Sequence, residues 1–240
     1  MEVVPYKNEQ TGKKEQVATM FNNISAKYDF LNHFLSLGID KVWRRKAVGH
    51  LKDLKPKIIL DVATGTGDFA IESLTLKPNK IVGIDISEGM LEVGIQKIKK
   101  RGLQDIIELM TGDSENLPFD DNKFDAVIVA YGVRNFENLE KGLKEMHRVL
   151  RSGGKMVVLE FSKPTHFPFK QLYNFYFRYV LPKIGNALSK DNAAYTYLPE
   201  SVRVFPDGDK FISKLKSVGF KEAICNPVTF GISSIYIARK

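Results

Sequence analysis

Apolar positions along the chain switch between two spacings, and the switches mark the elements. Val17, Met20, Phe21, Ile24, Tyr28 and Leu31 fall at helical spacing, so residues 13 to 50 read as helical. Asn32, Ser36 and Gly38 interrupt this stretch, and helix resumes from Val42 to Leu51. Residues 58 to 63 (IILDVA) form an apolar run rich in β-branched side chains, the pattern of a buried strand. Gly65 and Gly67 make a tight turn, and residues 68 to 76 look helical. Further strands are expected at 80 to 85, 106 to 110, 124 to 130 and 155 to 161. Ser87 can cap a helix over 88 to 101, and a helix over 139 to 150 stops at Ser152-Gly153-Gly154. Strands alternating with helices of this length imply a parallel sheet covered on both faces.

After Phe161 the rhythm changes. Prolines 164, 168 and 182 bracket a dense aromatic run: Phe167, Phe169, Tyr173, Phe175, Tyr176, Phe177 and Tyr179. It reads either as helix core or as an apolar cover for a ligand. A helix over 207 to 218 ends at Gly219, a favoured C-terminal stop. Two last strands, 222 to 228 and 233 to 238, are joined by so short a link that they should pair antiparallel. The expected architecture is a single α/β domain with a mainly parallel seven-stranded sheet. Its parts are a helical lid (13–51), a core (56–164), the aromatic cover (165–205) and a C-terminal helix with hairpin (206–240).

Composition narrows the class little. Of 240 residues, 43% are apolar and 27% charged, ordinary globular usage with no disordered stretch. Residues 1 to 16 lack the apolar core of a secretory signal, and no apolar run approaches the ~20 residues of a membrane span. A lone cysteine, Cys225, excludes an internal disulfide and a Cys-rich metal site, and its strand position suggests core. His33, His50, His147 and His166 share no ligand spacing, so no metal is expected, and His147 is placed at the surface. A cytoplasmic protein fits. The net charge of +8 is spread out with no block of five like charges, which favours a solvated surface over a nucleic-acid face.

The informative motif is Asp61 to Asp68 (DVATGTGD), at the carboxyl end of the first strand. In open α/β sheets ligands bind outside those strand ends. Gly65-x-Gly67-x-x-Ala70 also satisfies the loose dinucleotide pattern, and Asp85 ends the second strand, where an acid binds a ribose hydroxyl. Those features leave a nicotinamide oxidoreductase open beside a methyltransferase. Asp61 separates them: a carboxylate there suits a cationic amine and repels a pyrophosphate. Gly112-Asp113-Ser114 follows the third strand, where an acid can accept from an adenine amino group.

The chain closely resembles the menaquinone/ubiquinone biosynthesis C-methyltransferases over nearly its whole length. The shared positions begin with Met20-Phe21, Ile24, Tyr28-Asp29 and Asn32 and continue through Leu35-Ser36, Gly38 and Trp43-Arg44. They include Asp61 to Asp68, Leu117-Pro118-Phe119, Gly132 to Asn135, Arg148 to Leu150 and Gly153-Gly154. Val158 to Ser162, Pro164, Tyr197-Leu198 and Glu200-Ser201 complete the set. The segments around Arg134-Asn135, Leu159 to Ser162 and Tyr197 to Ser201 are the specific ones; the glycine and Leu-Pro-Phe motifs are widespread among methyltransferases.

The resemblance implies a Rossmann-like class I methyltransferase that uses S-adenosyl-L-methionine to C-methylate a polyprenylated quinol ring, most readily demethylmenaquinol. It places cofactor contacts on Thr66, Asp85, Asp113 and Ser114, beside Asp61, Gly65 and Gly67 of the turn. A further contact after the fourth strand is often Ser in the family; here it is Ala130, which leaves only backbone to contribute. Arg134 is the expected phenolate stabiliser, since guanidinium is too weak an acid to serve as a base, with Asn135 to orient it. The alternative for Arg134 is an ion pair with an acid such as Glu137 that only shapes the loop. Tyr28 and Asp29 are candidates for proton handling from the lid, or for packing and capping, and Trp43 is expected to anchor the N-terminal helices. Lys170, Arg178 and Lys183 beside the aromatic run suit lipid headgroups, so peripheral membrane contact is expected. An RNA methyltransferase remains the other alternative, and a homodimer is compatible with the sequence.

Overall fold

Strand Ile58–Val62 (β1) is apolar except for Asp61 near its carboxyl end, because both its faces are covered. It pairs in parallel with Lys80–Asp85 (β2) on one side and Phe124–Ala130 (β4) on the other. In the computed structural model, which describes residues 3–36, 38–176, 179 and 193–240 and leaves aside the side chains of 31–35 and 195, these strands form the centre of a seven-stranded sheet. Ile107–Thr111 (β3) lies outside β2, and Leu150–Phe161 (β5) lies beside β4. The order is β3-β2-β1-β4-β5-β7-β6, so the connections reverse direction between β1 and β4. That reversal opens a crevice at the carboxyl ends of the central strands. The last two strands, Glu222–Val228 (β6) and Ser233–Arg239 (β7), form the expected antiparallel hairpin, with β7 inserted between β5 and β6.

Alternation along the strands builds two cores. Leu60, Val62, Val127 and Val129 face one side, with Leu143 and Met146 of helix Leu139–Val149 (α5) and Phe211 and Leu215 of helix Asp209–Ser217. Ile59, Ala126 and Ile128 face the other, against Trp43, Ala47 and Val48 of helix Ile39–Gly49 (α2). Phe69 and Ala70 of helix Asp68–Ser73 (α3) and Ile98 of helix Glu88–Lys100 (α4) complete that layer. The long first helix, Lys13–Leu35 (α1), lies across the carboxyl ends of the strands and contributes Val17 and Met20 to a small third cluster with Tyr197 of helix Ala193–Val204.

Several sequence expectations change. Helix α5 runs directly into β5, whose first residues bulge out: Phe124 pairs with Leu150, but Ala126 already pairs with Lys155. Gly154 is obligatory in this bulge, because a Cβ there would lie 2.8 Å from the Asp125 carbonyl oxygen. The late helix starts at Asp209, because Gly208, at φ 62°, breaks the backbone before it. Cys225 is half-buried on the edge strand β6, where one face meets solvent. His147 is half-buried edge-on against Phe220, and desolvation there lowers its pKa. The aromatic run does not form core: Phe169–Phe175 (α6) has no buried residue, and Phe167, Leu172, Phe175 and Tyr179 are exposed. Phe177, Arg178 and Lys183 lie outside the described residues.

Candidate active site

One cavity sits at the ends of β1, β2 and β4. Beyond β1 the chain turns through three left-handed residues, Ala63 (φ 53°), Gly65 (56°) and Gly67 (81°). The facing turn beyond β4 comes so close that a Cβ on Gly132 would sit 2.5 Å from that of Ala63. Asp85 ties the glycine turn to β2: its Oδ2 accepts from the Gly65 amide (2.8 Å) and its Oδ1 from the Ser87 amide (2.9 Å). Desolvation raises its pKa against the pull of those amides. Gly65, Asp85, Asp113, Ser114, Ala130 and Asn135 all line this cavity, so six expected residues from four separate loops converge.

Asp61 lies just beneath the lining and is 1% exposed. Its Oδ2 accepts from the Thr64 hydroxyl (2.7 Å), while Oδ1 makes no hydrogen bond of normal geometry. Burial pushes its pKa up to about 7, against the Thr64 hydroxyl and the Ala70 amide. An orphaned, buried carboxylate oxygen calls for a cationic partner. The site therefore fits the expected cofactor: Asp61 for an ammonium, Asp85 for a ribose diol, Asp113 for an adenine amino group. The cavity holds only about 60 Å³, far below the roughly 300–1,000 Å³ of small-molecule sites. Helix α1 closes it with Val17, Phe21 and Tyr28, and with Lys14, whose Nζ meets Asp113 Oδ2 (2.7 Å) and Glu115 (3.6 Å).

A second cavity is a chamber of about 790 Å³ bounded by α1, α2, α6, helix Ala193–Val204 and the β6–β7 link. Its lining is largely apolar, with Ile24, Trp43, Phe161, Leu172, Leu198 and Phe230. Trp43 is buried and donates from Nε1 to the Thr229 hydroxyl (2.8 Å), which fastens α2 to the hairpin. Phe21, Tyr28 and Tyr131 line both cavities and so stand where the two meet.

Arg134 reaches this chamber from the loop after β4. Its Nη1 donates to the Tyr131 carbonyl (2.5 Å) and pairs with Glu160 Oε1 (2.8 Å), and its guanidinium faces the Phe161 ring at 5.4 Å. Its Nε is buried without a partner. Asn135 donates from Nδ2 to the same carbonyl (3.3 Å), and its Oδ1 is also unpartnered. The pairing of Arg134 with Glu137 does not form; Glu137 instead accepts from the Lys14 amide (3.4 Å). Glu160 is fully buried, and desolvation raises its pKa although Arg134 and nearby amides pull it down.

Residues 9–240 match the ubiE/COQ5 methyltransferase family. The chain belongs to it. The demethylmenaquinone methyltransferase of Bacteroides fragilis is 51% identical over 99% of this chain and 97% of its own length. The ubiquinone/menaquinone biosynthesis C-methyltransferase UbiE of Geotalea daltonii is 46% identical over 96% and 98%. Among solved structures, a SAM-dependent methyltransferase from Thermotoga maritima, described as a possible histamine N-methyltransferase, superposes with a TM-score of 0.64. It covers 92% of this chain and 99% of its own at 20% identity, a likeness of fold.

Besides Asp61, three of the site residues expected for a UbiE/COQ5 methyltransferase line neither cavity here. Thr66 is buried, donating to Asp29 Oδ1 (2.6 Å) and accepting from Lys97 Nζ (3.0 Å). Asp29 accepts that bond and pairs with Lys97 (2.5 Å), which links α1 to the glycine turn and to α4. Gly67 is required for its backbone angle; a Cβ there would meet only ordinary contacts, 3.6 Å from Leu109 and 3.7 Å from Ile98. Sequence reasoning missed Glu160, Tyr131, Lys14 and Lys97. Glu160 had a signal: an acid inside the apolar run 155–161 must be buried, and buried acids need partners. The others had none that is local. Among the described residues, no cluster of three His, Cys, Asp or Glu is arranged to hold a metal.

Proposed function

We propose that this methyltransferase C-methylates the ring of a polyprenylated quinol, demethylmenaquinol first, with S-adenosylmethionine in the polar cavity and the acceptor in the apolar chamber. The observation that carries the reading is the meeting of the two cavities at Phe21, Tyr28 and Tyr131, with a buried guanidinium facing the larger one. The names of the curated relatives support the acceptor.

The bound cofactor supplies an electrophilic methyl group. The protein must then make a ring carbon nucleophilic, which ionising the neighbouring hydroxyl achieves by pushing charge into the ring. Arg134 stabilises that phenolate: it lines the chamber, and its bonds to Tyr131 and Glu160 engage Nη1 alone, which leaves other guanidinium donors for an oxyanion. Glu160 and the Tyr131 carbonyl hold the guanidinium by Nη1 and so aim it. Stabilising the anion lowers the hydroxyl's pKa, and the proton passes to water; the ring carbon that has taken the methyl then sheds its own hydrogen as a proton and the oxygen regains one, which restores the aromatic diol. Tyr28 and Asn135 shape the junction where the reacting atoms meet. Apolar walls exclude water from the reacting carbon.

Helix α1 serves as the lid of the cofactor cavity, braced through Asp29 and Lys14. The prenyl tail leaves past Leu172 and Phe230, beside the exposed Phe167 and Phe175, a surface suited to resting on a bilayer. Among the described residues no helix is long and apolar enough to cross one. The test is methyl transfer from S-adenosylmethionine to demethylmenaquinol and to its ubiquinone-pathway counterpart, read by mass spectrometry. Absence of a singly methylated product from both would refute the reading. Flotation with anionic vesicles tests the membrane contact, and a Phe175→Ser variant should float less.

A further inference from the structure

The acceptor chamber contains a second buried ion pair that the reaction above does not use. Arg44 and Asp40 both line it, with side chains 9% and 5% exposed. Arg44 Nη1 meets Asp40 Oδ2 at 2.5 Å and Asp68 Oδ2 at 3.7 Å, and the Ser36 hydroxyl holds Asp40 Oδ1 at 2.7 Å. Burial opposes the charge, but Asp68 and Asp40 outweigh it, and the pKa of Arg44 is raised. A guanidinium carries five N–H donors, and both of these ion pairs run through one nitrogen, so the fork has donors to give. An arginine that served only to tie α2 to α3 would not need to face a ligand-sized apolar chamber. Tyr131 lines the same chamber; burial raises the pKa of its hydroxyl, which also feels Arg44, Glu160 and Asp40.

We propose that Arg44, held by Asp40, is a second polar anchor in the chamber: it binds the acceptor's ring oxygen remote from the methylated carbon, while Arg134 takes the adjacent one. This rests on the reading that the acceptor is a ring bearing two para hydroxyls. In such a ring only the hydroxyl next to the reacting carbon has to ionise. The other is a recognition handle, and a ring lacking it would leave the remaining Arg44 donors facing a filled chamber without an acceptor, which is how a polar site discriminates strongly. Two anchors fix the ring's oxygen-to-oxygen axis, and the prenyl tail then decides which of the two ring carbons faces the cofactor cavity.

The test compares two acceptors with the same prenyl tail. One is the 1,4-naphthalenediol; the other keeps the hydroxyl beside the reacting carbon and has hydrogen in place of the remote one. For the native enzyme the one-hydroxyl analogue should show a KM at least about 10-fold higher, the scale of a hydrogen bond to a charged group. Arg44→Met should bring the ratio of the two KM values close to one, and Arg44→Lys should retain part of it. Thermal unfolding and S-adenosylmethionine affinity, measured alongside, report any loss of the α2–α3 tie. If Arg44→Met does not fold, Arg44→Lys supplies the same comparison. A ratio near one in the native enzyme, or one untouched by both substitutions, would overturn the anchor while leaving the acceptor reading intact. Methylation of neither compound by the native enzyme would overturn both.

Discussion

Asp61→Asn isolates the charge proposed to hold the cofactor's ammonium. The carboxyl of Asp61 is fully buried with one oxygen unpartnered, and its pKa rises from 3.8 to about 7. At about 1.4 kcal/mol per unit, ionising it in the folded protein costs roughly 4 kcal/mol more than in the unfolded chain, an upper figure for so buried a group. A raised carboxyl pKa favours folding fully below 3.8, and that advantage is lost as pH rises through about 7. Ligand-free native protein should therefore lose thermal stability between pH 5.5 and 8.5 relative to Asp61→Asn. Ligand binding runs the other way, since only the ionised carboxylate attracts an ammonium. With a pKa of about 7, the ionised fraction drops about 10-fold between pH 8 and pH 6, and affinity should follow. Above pH ~8 the cofactor's own amino group deprotonates, so the affinity profile should be bell-shaped. Calorimetric titration of S-adenosylmethionine from pH 5.5 to 8.5 measures it. Asp61→Asn should bind more weakly at pH 7.5 and lose the acidic limb while keeping the alkaline one. An acidic limb that persists in the variant would refute the assignment.

The other predictions concern Arg134, Lys14 and Gly67. Arg134→Ala should cut turnover by ~100-fold or more, the scale of losing one oxyanion donor, with partial recovery at high pH as the quinol ionises unaided. It should also lower thermal stability, by up to about 3–5 kcal/mol, because Glu160 is left buried without its cation; near-native turnover would refute its role. Lys14→Ala removes the Lys14–Asp113 bond between α1 and the cofactor cavity and should speed both association and release of S-adenosylmethionine in stopped flow; unchanged rates would show that α1 does not gate the cavity. Gly67→Val should destabilise by at least ~1–2 kcal/mol through its φ of 81°, although the space for a Cβ is adequate, which a denaturant titration would show.

What the sequence determined by itself was whatever depends on near neighbours. The strands at 58–62, 80–85 and 124–130, the Ser87 cap and the antiparallel hairpin follow from periodicity, capping and loop length, each confined to a few residues. The convergence of Gly65, Asp85, Asp113 and Ala130 was legible too, because parallel strands of one sheet carry their following loops to one edge. Tertiary structure alone decided the rest. Asp29 and Thr66 are 37 positions apart, and Arg134 and Glu160 are 26 apart; no local pattern encodes either bond. Whether Asp29 is a base or a brace depends on what Lys97 and Thr66 do to its oxygens. Whether Arg134 meets Glu137 or Glu160 depends on the parallel register that sets the end of β5 beside the end of β4. Charge and hydrogen bonding act through space, so a residue's chemistry is settled only when the chain has chosen its neighbours.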